Sequence, residues 1–211
     1  MNKRVLLAAA FSIFAAAASG CSASPAATPS SSASAPSSSA AAGSSSASAS
    51  DSGWALDTAG ATGRIKAAGL SVLNMEGSAE HYHAHLDVFV DGKPVAVPPG
   101  IGFSVGADGK ADGISALHTH EPDGVVHIEA AQTGQRYTLG QVLTEWGVLD
   151  GSNQTPGSPH GGTDGWTVYV NGAKQSGSIR DVQLKAHQEI VLAYGTAPSP
   201  LPSTFKFPDG E

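Results

Sequence analysis

The sequence is poor in the residues on which several common kinds of chemistry depend. Cys21 is the single cysteine among 211 residues, which excludes an intrachain disulfide framework and redox chemistry by a thiol pair. Charged residues make up only 14% of the chain, and its formal net charge at pH 7 is −7. A chain with this acidic balance is not expected to bind nucleic acid. Because there are only two methionines, a thioether site for copper(I) is disfavoured as well.

Long apolar runs and familiar catalytic motifs are also missing. No stretch of about 18 apolar residues occurs, so no membrane-spanning helix is predicted. The chain contains no HExxH helix, no GxSxG nucleophile elbow and no phosphate-binding loop. These absences leave open whether the protein is an enzyme, and they favour a binding role over catalysis.

The N-terminal region has the order of a secretion signal followed by a tether. Lys3 and Arg4 precede an apolar segment over residues 5–18, and small residues then lead into Cys21. This order resembles the lipobox of bacterial lipoproteins, which implies cleavage before Cys21 and diacylation of its sulfur. The following Ser, Ala and Pro residues carry no charge between positions 22 and 50.

Such a composition cannot bury enough apolar surface to offset the entropy lost on ordering. We therefore predict a lipoprotein signal peptide over residues 1–20 and a disordered linker over residues 21–53. The mature protein is then expected to be secreted and lipid-anchored through Cys21 to the outer face of the cell membrane.

Residues 54–211 are predicted to form a single domain with a Pro-rich C-terminal tail. Helical periodicity predicts a short helix over residues 59–68 and a main helix over residues 138–146, which Thr138 caps and Gly147 ends. Apolar runs of strand length, separated by turn residues, occupy positions 81–90, 94–97, 116–120, 125–130, 166–170 and 189–194.

The predicted fold class is α+β, with a small, mostly antiparallel sheet and one main helix. The order of two strands, a helix and two more strands resembles the β-grasp arrangement. Asp91-Gly92 and the tetrapeptide at positions 121–124 are expected to form hairpin turns. Phe205 and Phe207 are expected to lay the tail over the domain.

Eight histidines are present, and six of them lie in two short stretches. In HYHAH, at positions 81–85, alternation along a strand places His81, His83 and His85 on one face together with Asp87. Residues 86, 88 and 90 then form the core face. Since three ligands in a row on one straight strand rarely converge, two primary ligands are expected from this stretch.

The second stretch contains His118, His120 and His127 on either side of a predicted turn. A two- or four-residue loop would place His118 opposite His127 on the same face. A three-residue loop with a bulge would turn His127 to the other face. The sequence leaves both registers open.

A cluster made mainly of imidazoles points to zinc(II) or copper(II), with about one tightly held ion per chain. The predicted ligands are His81, His83, His85, His118, His120 and His127. Asp87, Glu121 and Glu129 are predicted to orient these rings or to act as further ligands. His160 is predicted to lie in a solvated loop. His187 is predicted to lie in a turn and to make a structural hydrogen bond.

Three segments of this region resemble a family of uncharacterised secreted proteins from bacteria and archaea. They are HYHAHLDVFVDGKPVAVPPGIG at positions 81–102, HTHEPDGVVHIEA at 118–130 and YTLGQVLTEWGV at 137–148. The resemblance implies a common fold and a shared His-rich centre, and it implies no particular activity. Glu121 stands where the family pattern favours Asp.

The sequence therefore predicts a cell-envelope lipoprotein that binds zinc or copper for metal handling or for structural stabilisation. One alternative is an envelope structural or interaction module without metal chemistry, in which the histidines only tie strands together or titrate. Another is a zinc-dependent hydrolase or lyase, with Glu121 or Glu129 as the base. The membrane and the metal ion are the predicted partners, and no protein partner is predicted.

Overall fold

A computed structural model describes residues 54–148 and 163–208. The predicted signal peptide, the predicted linker with Cys21, and His160 lie outside the described residues. The two α-helices are α1 (Ala61–Ala67) and α2 (Leu139–Trp146). The nine strands are β1 (Glu80–Val90), β2 (Lys93–Val95), β3 (Phe103–Val105), β4 (Ala111–Ile114), β5 (Leu117–His118), β6 (Val125–Ala130), β7 (Trp166–Val170), β8 (Ala173–Lys174) and β9 (Glu189–Tyr194).

Seven of these strands form one mixed sheet in the order β5-β6-β1-β9-β7-β8, with β2 paired to β1. The central pair β1–β9 is parallel, and the other pairs are antiparallel. Strands β3 and β4 form a separate hairpin. The predicted α+β class is thus confirmed, and the order β6-β1-β9-β7, with α2 between β6 and β7, resembles a β-grasp sheet.

Strand β1 lies inside the sheet, and its alternation separates two kinds of side chain. Ala84, Leu86 and Val88 point into the hydrophobic core and are at most 1% exposed. The histidines at positions 81, 83 and 85 alternate with them and therefore occupy the other face. The apolar face fixes the register of β1, and with it the positions of the histidines.

Three tryptophans join α2 to the N-terminal segment and to the sheet. The ring centroids of Trp54 and Trp146 are 5.6 Å apart, and those of Trp54 and Trp166 are 6.1 Å apart. The indole nitrogen of Trp146 also donates to the carbonyl of Trp54 at 2.9 Å. Helix α2 ends at Gly147, whose φ of 84° suits a residue without a Cβ.

Several element bounds differ from those that the sequence predicts. The predicted strand over residues 116–120 is only two residues long, because the backbone of Thr119 pairs with Gly100 and Ile101 instead of continuing the sheet. The hairpin β3–β4 was not predicted, since its strands are short and only partly apolar. No helix within the described ranges has both the length and the apolar character needed to cross a membrane.

The C-terminal tail packs against the domain through two phenylalanines, as the sequence predicts. The ring of Phe205 stacks on His85, with centroids 3.7 Å apart and planes inclined by 7°. The ring centroids of Phe207 and His187 are 5.1 Å apart. The tail thus covers the end of the sheet where β1 and β9 begin to pair.

The tryptophan cluster gives a direct test of the core. Trp146 is fully buried, so Trp146→Ala leaves a large cavity and is expected to lower the free energy of unfolding by about 3–5 kcal/mol. Met75 is 75% exposed, and Met75→Ala is the matched control, with a change within about 0.5 kcal/mol. Chemical denaturation followed by circular dichroism measures both values. Equal effects of the two substitutions would contradict the assigned core.

Candidate metal centre

Three histidines form a row across neighbouring strands. The register pairs His118 of β5 with His127 of β6, and His127 with His83 of β1. Of the two registers that the sequence leaves open, the structure thus has the one in which His118 and His127 share a face, and residues 119–124 connect the two strands. Side chains paired in this way have Cβ atoms about 4.5–5.5 Å apart, close enough for imidazoles to meet.

Four more side chains extend this row. His81 pairs with Glu129 in the register of β1 and β6, His120 follows His118 by two residues, and Glu76 approaches from the segment before β1. Together these residues are the histidine–glutamate cluster, which consists of Glu76, His81, His83, His118, His120, His127 and Glu129.

His118 is held in a single orientation. Its Nδ1 lies 3.0 Å from the carbonyl oxygen of Ser115, an acceptor, so Nδ1 carries the proton and Nε2 keeps its lone pair. The side chain is fully buried, yet Nε2 has no hydrogen-bond partner. Gly102 makes room for this packing, since a Cβ there would lie 2.0 Å from the carbonyl oxygen of Leu117.

The ligand atoms around His83 approach one another closely. The Nε2 atoms of His81 and His83 are 3.2 Å apart, and His83 Nε2 lies 2.9 Å from His127 Nδ1. The carboxylate atom Glu129 Oε1 lies 3.3 Å from His81 Nε2 and 3.6 Å from His127 Nδ1. The ligand atoms of these four residues all lie within 4.8 Å of one another.

The second group of donors surrounds His118. Glu76 Oε1 lies 3.3 Å from His120 Nε2 and 3.9 Å from His118 Nε2, which in turn is 4.0 Å from Glu129 Oε1. His127 belongs to both groups, because its ring also lies among those of His118 and His120, with centroids at 5.3 and 4.6 Å. His120 and Glu76 are partly exposed, so this side of the cluster opens to solvent.

Burial keeps the inner histidines neutral. It lowers the pKa of His118 to about 4 and, together with the neighbouring histidines, lowers the pKa of His127 to about 3. The pKa of His83 is lowered for the same reasons, with His81 the strongest neighbour. Burial raises the pKa of Glu129, and the charge of Glu76 raises it further. Neutral imidazole is the form that binds metal.

His85 is not brought together with the other histidines. Its Nδ1 lies 2.9 Å from Glu189 Oε2, and its Nε2 lies 2.8 Å from the carbonyl oxygen of Asp123. Because both partners are acceptors, both ring nitrogens donate, which is the bonding of an imidazolium. Burial alone would lower the pKa of His85, but Glu189 and then Asp87 raise it on balance. His85, Asp87 and Glu189 thus form a separate group within ligand distance of one another.

Of the three carboxylates that the sequence predicts beside the histidines, only one lies in the histidine–glutamate cluster. Glu129 lies within the cluster, Asp87 lies beside His85, and Glu121 is exposed in the turn, outside every group of close donors among the described residues. Two acids of these groups were missed, Glu76 and Glu189. Neither carries a local signal, since Glu76 lies in an irregular segment and Glu189 is 104 residues from its partner His85.

His187 lies at a turn, as the sequence predicts. Its φ is +58°, and its backbone N–H donates to the carbonyl of His83 at 2.7 Å. It is not among the close groups of donors in the described part of the chain.

Comparisons with known proteins do not assign the cluster a role. No family model, no curated protein and no solved structure matches the chain. The resemblance to secreted His-rich proteins therefore stays a prediction, and function has to be argued from the site.

The lowered pKa values predict a loss of stability in acid. His118 and His127 take up protons more readily in the unfolded chain, where the pKa is about 6.5. Their contribution to the free energy of unfolding is present above pH 6.5 and is lost as the pH falls toward 4. The slope is about 1.4 kcal/mol per pH unit for each proton taken up on unfolding.

Chemical denaturation of the metal-free chain at several pH values between 7.5 and 4.5 measures this fall. The double variant His118→Gln, His127→Gln is expected to show a flatter profile than the wild type. A wild-type profile as flat as that of the variant would contradict the assignment of these two rings as neutral.

Proposed function

We propose that the histidine–glutamate cluster binds a divalent transition metal, zinc or copper, and that the protein handles this metal at the cell envelope. The observation that carries the proposal is the buried Nε2 of His118, which has no partner although Nδ1 of the same ring is anchored to Ser115. Leaving a buried acceptor unpaired costs about 1–3 kcal/mol. A bound cation would offset this cost.

The spacing of the donors fits such an ion. In a tetrahedral zinc site with bonds of about 2.0–2.1 Å, neighbouring ligand atoms are about 3.3 Å apart. Four of the six separations among the ligand atoms of His81, His83, His127 and Glu129 range from 2.9 to 3.6 Å, and all six are within 4.8 Å. The arrangement is therefore close to that of a loaded site without any movement of the strands.

The chemistry of the donors limits the choice of metal. Imidazole nitrogen with carboxylate oxygen suits zinc(II) and copper(II), whereas calcium and magnesium prefer oxygen alone. The anchored Nδ1 of His118 is the kind of outer hydrogen bond that orients a metal-bound histidine. A bound ion would supply Lewis acidity and would stabilise the folded chain, because it binds only the folded arrangement.

The location at the envelope rests on the N-terminal sequence. The resemblance of the segment before Cys21 to a lipobox supports an acyl anchor, and the Ser- and Ala-rich residues that follow support a tether between that anchor and the domain. In this arrangement the cluster meets metal ions outside the cell.

Metal content tests the proposal. The untagged full-length chain, purified in detergent and dialysed against zinc or copper, is expected to retain metal by elemental mass spectrometry. The double variant His83→Gln, His118→Gln removes one buried donor from each side of His127 and is expected to lose the metal. Removing two ligands should weaken binding by more than the roughly 10–100-fold that is typical of losing an outer hydrogen-bond partner.

His187→Asn is the matched control, because it removes an imidazole near His83 while Asn tolerates the positive φ at this position. This variant should retain as much metal as the wild type. Absence of metal from the wild-type chain after reconstitution would refute the proposed function, as would equal retention by the double variant.

Lipidation is tested by Cys21→Ser. Cells fed a labelled fatty acid are expected to label the wild-type chain and to hold it in the membrane fraction. The variant should lose the label and the membrane association, because the acyl groups attach to the Cys21 sulfur. A labelled variant would contradict the anchor, and equal metal content of both forms would show that anchor and metal site are independent.

A further inference from the structure

The histidine–glutamate cluster holds more donors than one ion can use. Five imidazoles and two carboxylates lie within ligand distance of their neighbours. A tetrahedral zinc ion takes four ligands, and tetragonal copper(II) prefers four in its plane. A single ion would leave at least three donors unused, including buried ones.

The donors can be divided into two sets of four that share Glu129, although His127 of the first set also lies within ligand distance of His118 and His120. The first set is His81, His83, His127 and Glu129, and the ligand atoms of this set all lie within 4.8 Å of one another. The second contains Glu76, His118 and Glu129, which satisfy the same limit, with His120 added through its 3.3 Å contact with Glu76. Glu129 is the member common to both sets.

Glu129 lies where a bridging ligand belongs. Its Oε1 is 3.3 Å from His81 Nε2 of the first set and 4.0 Å from His118 Nε2 of the second set. The same oxygen therefore approaches donors of both sets, and a carboxylate can bridge two ions through one oxygen. Paired metal ions in proteins are about 3.5–4 Å apart. The side chain is 10% exposed, so protein groups rather than water surround it.

We propose that the cluster is a two-metal centre in which Glu129 bridges two divalent transition-metal ions. This inference rests on the proposed function and deepens it, because the sequence alone predicts about one ion per chain. His81, His83 and His127 hold the first ion together with Glu129, and Glu76, His118 and His120 hold the second.

The two ions differ in their surroundings. In the first set only His81 is largely exposed, with 54% of its side chain accessible. In the second set two of the three unshared donors are partly exposed, His120 at 39% and Glu76 at 48%. Exposed donors lose more side-chain freedom on binding, so the second ion is the weaker and more exchangeable one.

Copper(II) is the probe for the test, because its electron paramagnetic resonance signal reports on nearby copper ions. The untagged full-length chain is titrated in detergent, and bound copper is measured by equilibrium dialysis with elemental mass spectrometry. Two equivalents are expected to bind. The mononuclear signal should grow up to one equivalent and then broaden or weaken toward two, since ions about 4 Å apart couple magnetically.

Substitutions of single side chains test which residues bind the second ion. Glu76→Gln is expected to reduce binding to one equivalent and to keep the mononuclear signal. Glu121→Gln, which removes an exposed acid outside the cluster, is the matched control and should keep both equivalents and the coupled signal. His85→Asn should also keep both, which separates this centre from the group around Glu189.

The outcomes distinguish the two proposals. No bound copper would overturn the proposed function and this inference together. One equivalent in the wild type would overturn the two-metal centre and leave the proposed function intact. Two equivalents with simply additive signals would overturn the bridge, and two equivalents of unchanged affinity in Glu76→Gln would overturn the assigned ligands of the second ion.

Discussion

The lateral alignment of β5, β6 and β1 is the constraint on which the rest of the site depends. It places His118, His127 and His83 side by side, where burial removes each ring from water. The alignment is set by the opposite face of the sheet, where Leu117, Ile128 and Ala84 are fully buried in the core. A slip by one residue would turn every one of these side chains to the other face. Hydrophobic packing on one face thus determines how the histidines are arranged on the other.

Much of this arrangement follows from local sequence patterns. Strict alternation between positions 81 and 88 correctly predicts which residues of β1 face the core. The capping residue Thr138 and the C-terminal Gly147 correctly bound the main helix to within one residue. These signals succeed because each depends on neighbours in the chain, through the two-residue period of a strand or the unpaired backbone groups of a helix end.

The parts that the sequence left open or missed depend on distant residues. The sequence left open which face His127 occupies, because this depends on whether the loop between the two strands has an even or an odd number of residues. The separate placement of His85 depends on Glu189, and Glu76 reaches His120 only because its segment packs beside the end of β6. Gly77 permits this packing, since a Cβ there would lie 2.1 Å from the carbonyl carbon of Ala130. No periodicity in the sequence records such contacts.

The parallel pairing of β1 with β9 has a consequence for the order of assembly. The strand that carries His81 and His83 lies between β6 and β9, and β9 follows every other strand of this sheet in chain order. Contacts between such distant segments form slowly, because a long loop must close first. A nascent chain that ends before β9 therefore lacks the parallel neighbour of β1, so the histidine–glutamate cluster gains its full support only after β9 has been synthesised.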